Sequence, residues 1–486
     1  MNFTTPLFFF FLLLVFTLRW AVSFFFKANP EKNLFFSNLI LVFFSYYFYM
    51  SWDWRFGFLI LFTTILDYSA GRLMVEFPLK KKAFLILSVV INLTILGFFK
   101  YFNFFLGNVG HLAEMLHLTA HISALEILLP AGISFFTFQS MSYTIDLYRG
   151  VISVEKSFLR YALFLSFFPQ LVAGPIVSAK DFLPQIRTLH KFSDIQAGKS
   201  FYFLLLGFLK KSVFADQISV VSDFVFGYPE QVSGFFTLCG VVSYSIQIYC
   251  DFSGYSDIAR GAGYALGFEL PENFHLPYFS KSLTEFWRRW HISLSSWLKS
   301  YLYIPLGGNR ISKVFTYRNL FLTMLLGGLW HGASWNFIIW GGLHGFWLGL
   351  ERMVSESKIG EYRKEIFQKN KYLKIYAGLF YSICIFILVC ILWIFFRSKD
   401  ISTATTLFQN ILFWREGIEP SYSMLNIFYL VVIFSFLAHL AGTFWNSEIL
   451  DIFENLTVFR SFLVSVIIIV GVLLSGNTKP FIYFVF

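Results

Sequence analysis

Charged residues are scarce in this sequence: Asp, Glu, Lys and Arg together make up 14% of its 486 residues. Soluble globular domains carry about 25%. Hydrophobic residues account for 57% of the chain, and 67 of its residues are phenylalanine, which is more apolar surface than a soluble core can bury. The composition therefore excludes an ordinary soluble protein and predicts an integral membrane protein.

Cysteine is also rare, and its spacing excludes two kinds of site. The four cysteines, Cys239, Cys250, Cys384 and Cys390, form no C-x-x-C pair and lie in or beside apolar runs. This pattern predicts neither a disulfide framework nor a zinc site. We interpret the cysteines as packing residues.

Regular alternation of polar and apolar residues is absent as well, although a membrane β-barrel requires it. Stretches such as PLFFFFLLLVFTL, residues 6–18, are apolar on both sides. The sequence predicts an all-α, polytopic helix bundle of about ten to twelve spans, with re-entrant and interfacial helices. Because no internal repeat or low-complexity linker is visible, we expect one membrane-embedded domain over residues 1–486.

The apolar runs are the predicted membrane helices. The first run, Asn2 to Phe26, has no basic region before it and no small-residue cleavage site after it, so we expect a retained helix rather than a signal peptide. Further runs long enough to span a bilayer, or nearly so, lie at Leu34–Trp52, Phe56–Tyr68, Phe84–Phe105, Ile127–Tyr148, Tyr161–Val177, Phe201–Phe214, Phe235–Tyr249, Leu320–Trp330, Trp335–Leu350, Tyr376–Phe396, Met424–Leu440 and Phe462–Leu474.

The net charge of +10 would suggest nucleic-acid binding in a soluble protein. Here Lys and Arg lie in the joints between apolar runs, as is typical of loops that stay on the cytoplasmic side. The segment Ser357–Lys374 carries six basic residues and is predicted to lie at the cytoplasmic face. We therefore expect contact with membrane lipids and no nucleic-acid partner.

One stretch gathers basic and aromatic residues: WRRWHISLSSWLKSYLYIPLGGNR, which runs from Trp287 to Arg310. On one continuous helix, Trp287, Trp290 and Trp297 would share a face. His291 would lie at the edge of that face. Such a helix suits a membrane interface, with tryptophan toward headgroups or the bundle and guanidinium groups toward water or phosphate. An interfacial anchor is therefore one interpretation of this stretch.

A second stretch, LLGGLWHGASWNFIIWGGLHG, places His331 inside an apolar run. An ionisable group there is costly and marks a functional site by default. Imidazole, with an ordinary pKa of about 6.5, suits a general base that takes a proton from a hydroxyl. A metal site would need further His or carboxylate ligands, and a proton relay would need acidic residues across the membrane. The small residues around it would allow tight helix packing or leave room for a substrate: Gly327, Gly328, Gly332 and Ala333.

The two stretches resemble the hallmark region of the membrane-bound O-acyltransferase family, most closely its bacterial alginate-acetylating branch. WRRWHISLSSWL, YIPLGGNR and LWHGASWNFIIWGGLHG match that pattern. Four earlier segments agree with it: PAGISFFTFQSMSYTIDLYRG from Pro130, FFPQLVAGPIV from Phe167, DFSGYSDIARGAGYALGF from Asp251 and LPENFHLPYFSKSLTEFW from Leu270. Together they define a motif core over residues 129–345.

The resemblance implies an O-acyltransferase that moves an acyl group, expected to be acetyl, from a cytoplasmic thioester toward a hydroxyl of an exported cell-envelope polysaccharide. His331 matches the family's essential histidine and would act as general base. His291 matches its second polar position and would orient the acceptor or stabilise an oxyanion. The phosphates of coenzyme A are predicted to bind Arg288, Arg289 and Lys299, with lipid-phosphate anchoring as the alternative. We expect acetyl-coenzyme A or another acyl-thioester as donor substrate, no permanently bound cofactor and no metal.

The resemblance also implies partners. In the bacterial systems that this chain resembles, a separate extracytoplasmic esterase-like acetyltransferase often completes the transfer. We expect such a partner, together with polysaccharide export or synthesis proteins, at the bacterial inner membrane. D-alanyl or lipid-acyl transfer within the same family is an alternative, and a transporter or flippase is another, although no internal repeat is visible. His344 is predicted to pack or to form hydrogen bonds, whereas the sequence suggests no role for Asp251.

Overall fold

The computed structural model describes residues 3–118, 125–172 and 174–444, together with 452, 464–467, 469, 471–472, 475 and 479–482. Within these residues the regular structure is helical, and the only extended pairing is an isolated parallel bridge between Val232 and Ile418. A helix satisfies all of its backbone polar groups internally, as a chain in lipid requires. The predicted all-α fold is confirmed for the described residues.

Twenty α-helices, joined by short segments, follow one another along the described part of the chain. The helices of the first half are α1 (Pro6–Phe25), α2 (Pro30–Met50), α3 (Arg55–Glu76), α4 (Lys81–Leu96), α5 (Phe102–Met115), α6 (Ile133–Arg149), α7 (Phe158–Ser166), α8 (Phe168–Leu171), α9 (Ala179–Arg187) and α10 (Ala197–Phe208). Those of the second half are α11 (Asp216–Gly227), α12 (Gly234–Ala265), α13 (Leu283–Arg289), α14 (Ile292–Leu298), α15 (Lys313–His331), α16 (Trp335–Ser355), α17 (Lys358–Lys369), α18 (Lys371–Arg397), α19 (Ile401–Leu412) and α20 (Tyr422–Phe444). Short π-helical turns follow α4, α10 and α14, at Gly97–Tyr101, Leu209–Ala215 and Lys299–Tyr303.

Seven helices among the described residues are long and apolar enough to cross a membrane: α1, α2, α3, the stretch Pro78–Met115, α12, α18 and α20. They make this a multi-pass membrane protein. Helices α15 and α16 have 19 and 21 residues but are not among these seven candidate spans. The predicted count of ten to twelve spans therefore stays a prediction. The predicted run Tyr161–Val177 is divided between α7 and α8. The run Phe462–Leu474 lies partly outside the described residues.

The chain divides into two compact units, Met1–Leu205 with Tyr255–Pro271, and Leu206–Gly254 with Glu272–Phe486. In the first unit, Asp67 of α3 is fully buried. Its carboxylate accepts hydrogen bonds from Ser88 Oγ at 2.6 Å and Asn92 Nδ2 at 2.8 Å, both on α4, and from Ser140 Oγ on α6. A carboxylate in an apolar helix is tolerated when such donors surround it. These bonds tie α3 to its two neighbours.

In the second unit, α15 and α16 form a tight helical hairpin. Gly328 of α15 faces Gly341 of α16, and a Cβ atom added to either one would lie 2.2 or 2.3 Å from a backbone oxygen of the other helix. Small residues let helices approach this closely in membrane proteins. Of the two interpretations offered for the glycines, tight helix packing is therefore found at Gly328. The hairpin turn is short, because α15 ends at His331 and Ser334 caps α16 by accepting from Asn336 N–H.

Candidate active site

His291 lies at a break between two helices, so the prediction of one continuous helix through this stretch was wrong. Helix α13 ends at Arg289, and His291 has left-handed backbone dihedrals, with φ of 43° and ψ of 54°. Histidine is one of the few residues enriched in this region, which costs free energy in most other side chains. The backbone of Asn273 receives the freed Ile292 N–H at 3.0 Å. Tertiary hydrogen bonds thus override the local helical pattern.

The imidazole of His291 is fully buried and is held by the side chain of Asn273. The Nδ1 atom lies 3.2 Å from Asn273 Oδ1. Phe252 packs edge-on against the ring at a centroid distance of 4.7 Å. Burial lowers the pKa of His291, because an apolar surrounding disfavours the charged imidazolium. His291 is therefore neutral at neutral pH.

His331 occupies the C-terminal end of α15 and is 4% exposed. Aromatic rings enclose its imidazole: Trp330 at 5.0 Å, Trp340 of α16 at 5.2 Å and Phe396 of α18 at 5.2 Å between centroids. The extended backbone of Gly332 ends the helix directly after the histidine. The imidazole of His331 therefore lies at a helix end, where side chains of α16 and α18 hold it in place.

The structure brings the two predicted histidines together, with 6.5 Å between their ring centroids. A heavy-atom separation of about 2.6–3.2 Å is needed for proton transfer or hydrogen bonding. The arrangement can take a proton from one hydroxyl while it holds a second polar atom of the same molecule.

Of the three predicted phosphate-binding residues, Arg288 and Arg289 end α13, and Lys299 begins the π-helical turn that follows α14. Arg288 and Lys299 are exposed. Arg289 donates to Glu285 at 2.7 Å, which is an ion pair within one helical turn. Among the described residues no group of three or more His, Cys, Asp or Glu side chains is placed to hold a metal ion.

Asn273 and its neighbour Ser293 are site residues that the sequence reasoning missed. Both side chains are buried, and both bond to the break that carries His291. Asn273 does stand within the segment LPENFHLPYFSKSLTEFW. Its position between Glu272 and Phe274 is a weak signal, because an isolated Asn is usual at a turn. Only the tertiary structure identifies it as a partner of His291.

His344, in contrast, has the structural role that was predicted for it. It is fully buried, and its Nδ1 accepts a hydrogen bond from Trp287 Nε1 at 3.2 Å. Its ring packs against Trp340 at 4.6 Å.

Three of the cysteines, Cys239, Cys250 and Cys390, are buried as packing residues, whereas Cys384 is exposed.

Asp251, for which the sequence suggested no role, belongs to a buried charge cluster. Lys211 Nζ lies 2.8 Å from Asp216 Oδ1 and 3.1 Å from Asp251 Oδ1. The second oxygen of Asp251 accepts the backbone N–H of Ile482 at 2.9 Å. Buried charges require such partners. Because Phe252, the residue after Asp251, packs on His291, the cluster anchors one wall of the histidine site.

Similarity to known proteins covers the chain segments that form this site. The sequence model of MBOAT, the membrane-bound O-acyltransferase family, matches residues 151–398, which include both histidines. The chain is 42% identical to the probable alginate O-acetylase AlgI of Pseudomonas aeruginosa over 381 residues, covering 76% of this chain and 69% of that protein. It is 36% identical to the peptidoglycan O-acetyltransferase of Helicobacter pylori over 440 residues, covering 84% of this chain and 79% of that protein.

A more distant similarity links the chain to the teichoic acid D-alanyltransferase of Bacillus subtilis. The two are 29% identical over 227 residues, which cover 44% of this chain and 56% of that protein. The similarity to the two acetyltransferases extends over more than two thirds of their lengths, and the family match spans the helices that hold the histidine pair. The chain therefore belongs to the membrane-bound O-acyltransferase family and is an O-acyltransferase.

Proposed function

We propose that this O-acyltransferase moves an acetyl group from a cytoplasmic thioester, acetyl-coenzyme A or an acyl carrier, toward a hydroxyl of an exported cell-envelope polysaccharide. The observation that carries the proposal is the buried pair of His331 and His291, 6.5 Å apart. It is supported by the acetyltransferase relatives, which are named for alginate and peptidoglycan. The proposed location is the bacterial inner membrane, with one membrane-embedded domain over residues 1–486.

In the proposed reaction, His331 is the general base. It accepts the proton of the acceptor hydroxyl while the hydroxyl oxygen bonds to the thioester carbonyl carbon. The tetrahedral intermediate then collapses as the carbon–sulfur bond breaks, and the departing thiolate takes the proton back from His331. General-base action of this kind is worth about 10²- to 10⁴-fold in rate.

His291 has the role of orienting the acceptor. Its Nδ1 is engaged with Asn273 Oδ1, and its neutral ring offers the other nitrogen to the substrate. A sugar carries adjacent hydroxyl groups, so His331 can deprotonate one while His291 binds its neighbour. Of the two roles considered for His291, this geometry favours orientation over oxyanion stabilisation.

The donor phosphates are proposed to bind Arg288, Arg289 and Lys299. Guanidinium groups pair well with phosphate oxygens, and two of these side chains are exposed. The ion pair with Glu285 would orient the guanidinium of Arg289. We also expect a separate extracytoplasmic esterase-like protein to act with this chain in acetylating the polysaccharide, and polysaccharide export or synthesis proteins to supply the acceptor.

The test is transfer of radiolabelled acetyl from acetyl-coenzyme A into cell-envelope glycan, in membranes that carry the parent chain with its partner proteins. The variant His331→Ala is compared with His439→Ala at equal abundance. The two histidines are similarly buried, 4% and 6% exposed, but His439 packs on Tyr249 and binds Ser435 O. We expect label to be lost in His331→Ala and retained in His439→Ala. Equal transfer by both variants would contradict the role of His331.

A further inference from the structure

The side chain of Asn273 is the hub of the hydrogen bonds around His291. It is 1% exposed and lies in the irregular segment between α12 and α13. Its Oδ1 atom receives Ser293 N–H at 3.2 Å and Ser293 Oγ–H at 2.9 Å, and His291 Nδ1 lies 3.2 Å from the same oxygen. Three groups thus converge on one amide oxygen.

These contacts identify the protonated nitrogen of His291. A backbone N–H can only donate, so the Asn273 atom that Ser293 N–H meets is the amide oxygen and not the amide nitrogen. An amide oxygen can only accept, so His291 Nδ1 must carry the hydrogen in this bond. In a neutral imidazole the other nitrogen then carries a lone pair. His291 is therefore the Nδ1–H tautomer, with Nε2 as an acceptor.

The rings packed around His291 include those of Phe252, Phe274, Trp330 and His331. Phe252 and Phe274, whose rings pack on it, carry no hydrogen-bonding side-chain atoms. The nearby charges are engaged elsewhere: Asp251 with Lys211, and Arg289 with Glu285. The bond to Asn273 Oδ1 distinguishes the two ring nitrogens, because it engages Nδ1.

We propose that Asn273 is a positioning residue that fixes the tautomer of His291 and thereby makes Nε2 the atom that accepts a hydrogen bond from the acyl acceptor. The inference rests on the proposed function only for its catalytic consequence. With the hydrogen on Nε2 instead, His291 would have no lone pair on that nitrogen and could not accept the hydrogen bond of the neighbouring hydroxyl that orients the acceptor.

The tautomer is tested directly by nitrogen NMR of the full-length protein in lipid, labelled with 15N at histidine. The resonances of His291 are those absent from the His291→Gln spectrum. We expect Nδ1 to show a one-bond coupling to hydrogen and Nε2 to have the shift of an unprotonated ring nitrogen. A coupling at Nε2 in the parent protein would overturn the inference, whatever the activity of the protein.

Two variants of Asn273 separate the hydrogen bond from the packing. Asn273→Asp keeps an acceptor oxygen, whereas Asn273→Leu has a similar volume and cannot accept. We expect the aspartate variant to keep the Nδ1–H tautomer and measurable acetyl transfer. The leucine variant should lose the single tautomer, and its rate should fall by about 10²-fold or more, because the wrong tautomer cannot offer its lone pair. An unchanged tautomer in the leucine variant would contradict the proposal.

Ser293→Ala is the matched control. It removes a second hydrogen bond to the same oxygen, at 2.9 Å, but leaves the acceptor that His291 uses. We expect this variant to keep the parent's tautomer, and a mixed tautomer in it would show that Asn273 alone does not select one. If the parent transfers no acetyl while its NMR signals show Nδ1–H, the proposed function fails and the tautomer assignment stands.

Discussion

A methyl group added at Gly341 tests how closely α15 and α16 must pack to position His331. In Gly341→Ala the new Cβ would lie 2.3 Å from Met324 O and 3.0 Å from Gly328 Cα, whereas real Cβ contacts essentially never fall below 3.0 Å. The neighbouring atoms are backbone and cannot rotate away. The two helices must therefore separate at their crossing, three residues before His331.

Gly342→Ala is the matched control for this change. Its Cβ would meet Leu325 Cδ1 at 3.5 Å, an ordinary van der Waals contact. Replacing glycine by alanine inside a helix stabilises either variant by about 1 kcal/mol through helix propensity. Because that gain is common to both, the difference between them isolates the clash. Overpacking costs about 1–3 kcal/mol, and more where the atoms cannot move.

The free energy of unfolding and the transfer of acetyl label are measured for both variants, purified in the same detergent. We expect Gly341→Ala to be less stable than Gly342→Ala by about 1–3 kcal/mol. It should also transfer acetyl more slowly, since a displacement of about 1 Å at a catalytic group costs up to about 10²-fold. Equal stability and equal transfer in the two variants would refute the argument that this crossing positions His331.

Two further predictions concern charges. Lys211→Met leaves Asp216 and Asp251 without their shared cation and should lower the free energy of unfolding by about 3–5 kcal/mol. Lys211→Arg should retain part of that stability. A methionine variant as stable as the parent would show that the charge cluster is not needed for folding. Arg288→Ala should raise the KM for acetyl-coenzyme A and leave kcat unchanged, with Lys313→Ala, whose side chain is 76% exposed, as the control. The same KM in both variants would remove Arg288 from the donor site.

The two histidines of the candidate site were predicted from sequence for different reasons. His331 was identifiable because an ionisable side chain inside an apolar run is energetically costly and is therefore a candidate functional residue. His291 was identifiable only within the motif WRRWHISLSSWL, since on amphipathicity alone an interfacial anchor explained the stretch equally well. Their separation of 6.5 Å could not be predicted, because 39 intervening residues, including α14 and α15, bring them together.

The break at His291 shows where local reasoning fails. Trp287, Trp290 and Trp297 have helical spacing, and no Pro or Gly interrupts them. The helix is nevertheless broken, since Asn273 supplies hydrogen bonds to Ile292 and Ser293 that compete with those of a continuous helix. A partner 18 residues away from His291 leaves no trace in a local periodicity.

The amino-acid sequence by itself determined the membrane environment of this protein, its helical class and the histidine that we propose as its general base. These follow from composition and short-range pattern: apolar runs in lipid must satisfy their backbone within helices, and a buried imidazole must have a function or a partner. Only the tertiary structure decided which nitrogen of His291 is protonated, why Asp251 is present and how near the histidines lie. Those properties depend on contacts between residues distant in the chain, and no residue's own chemistry specifies which distant residue it will meet.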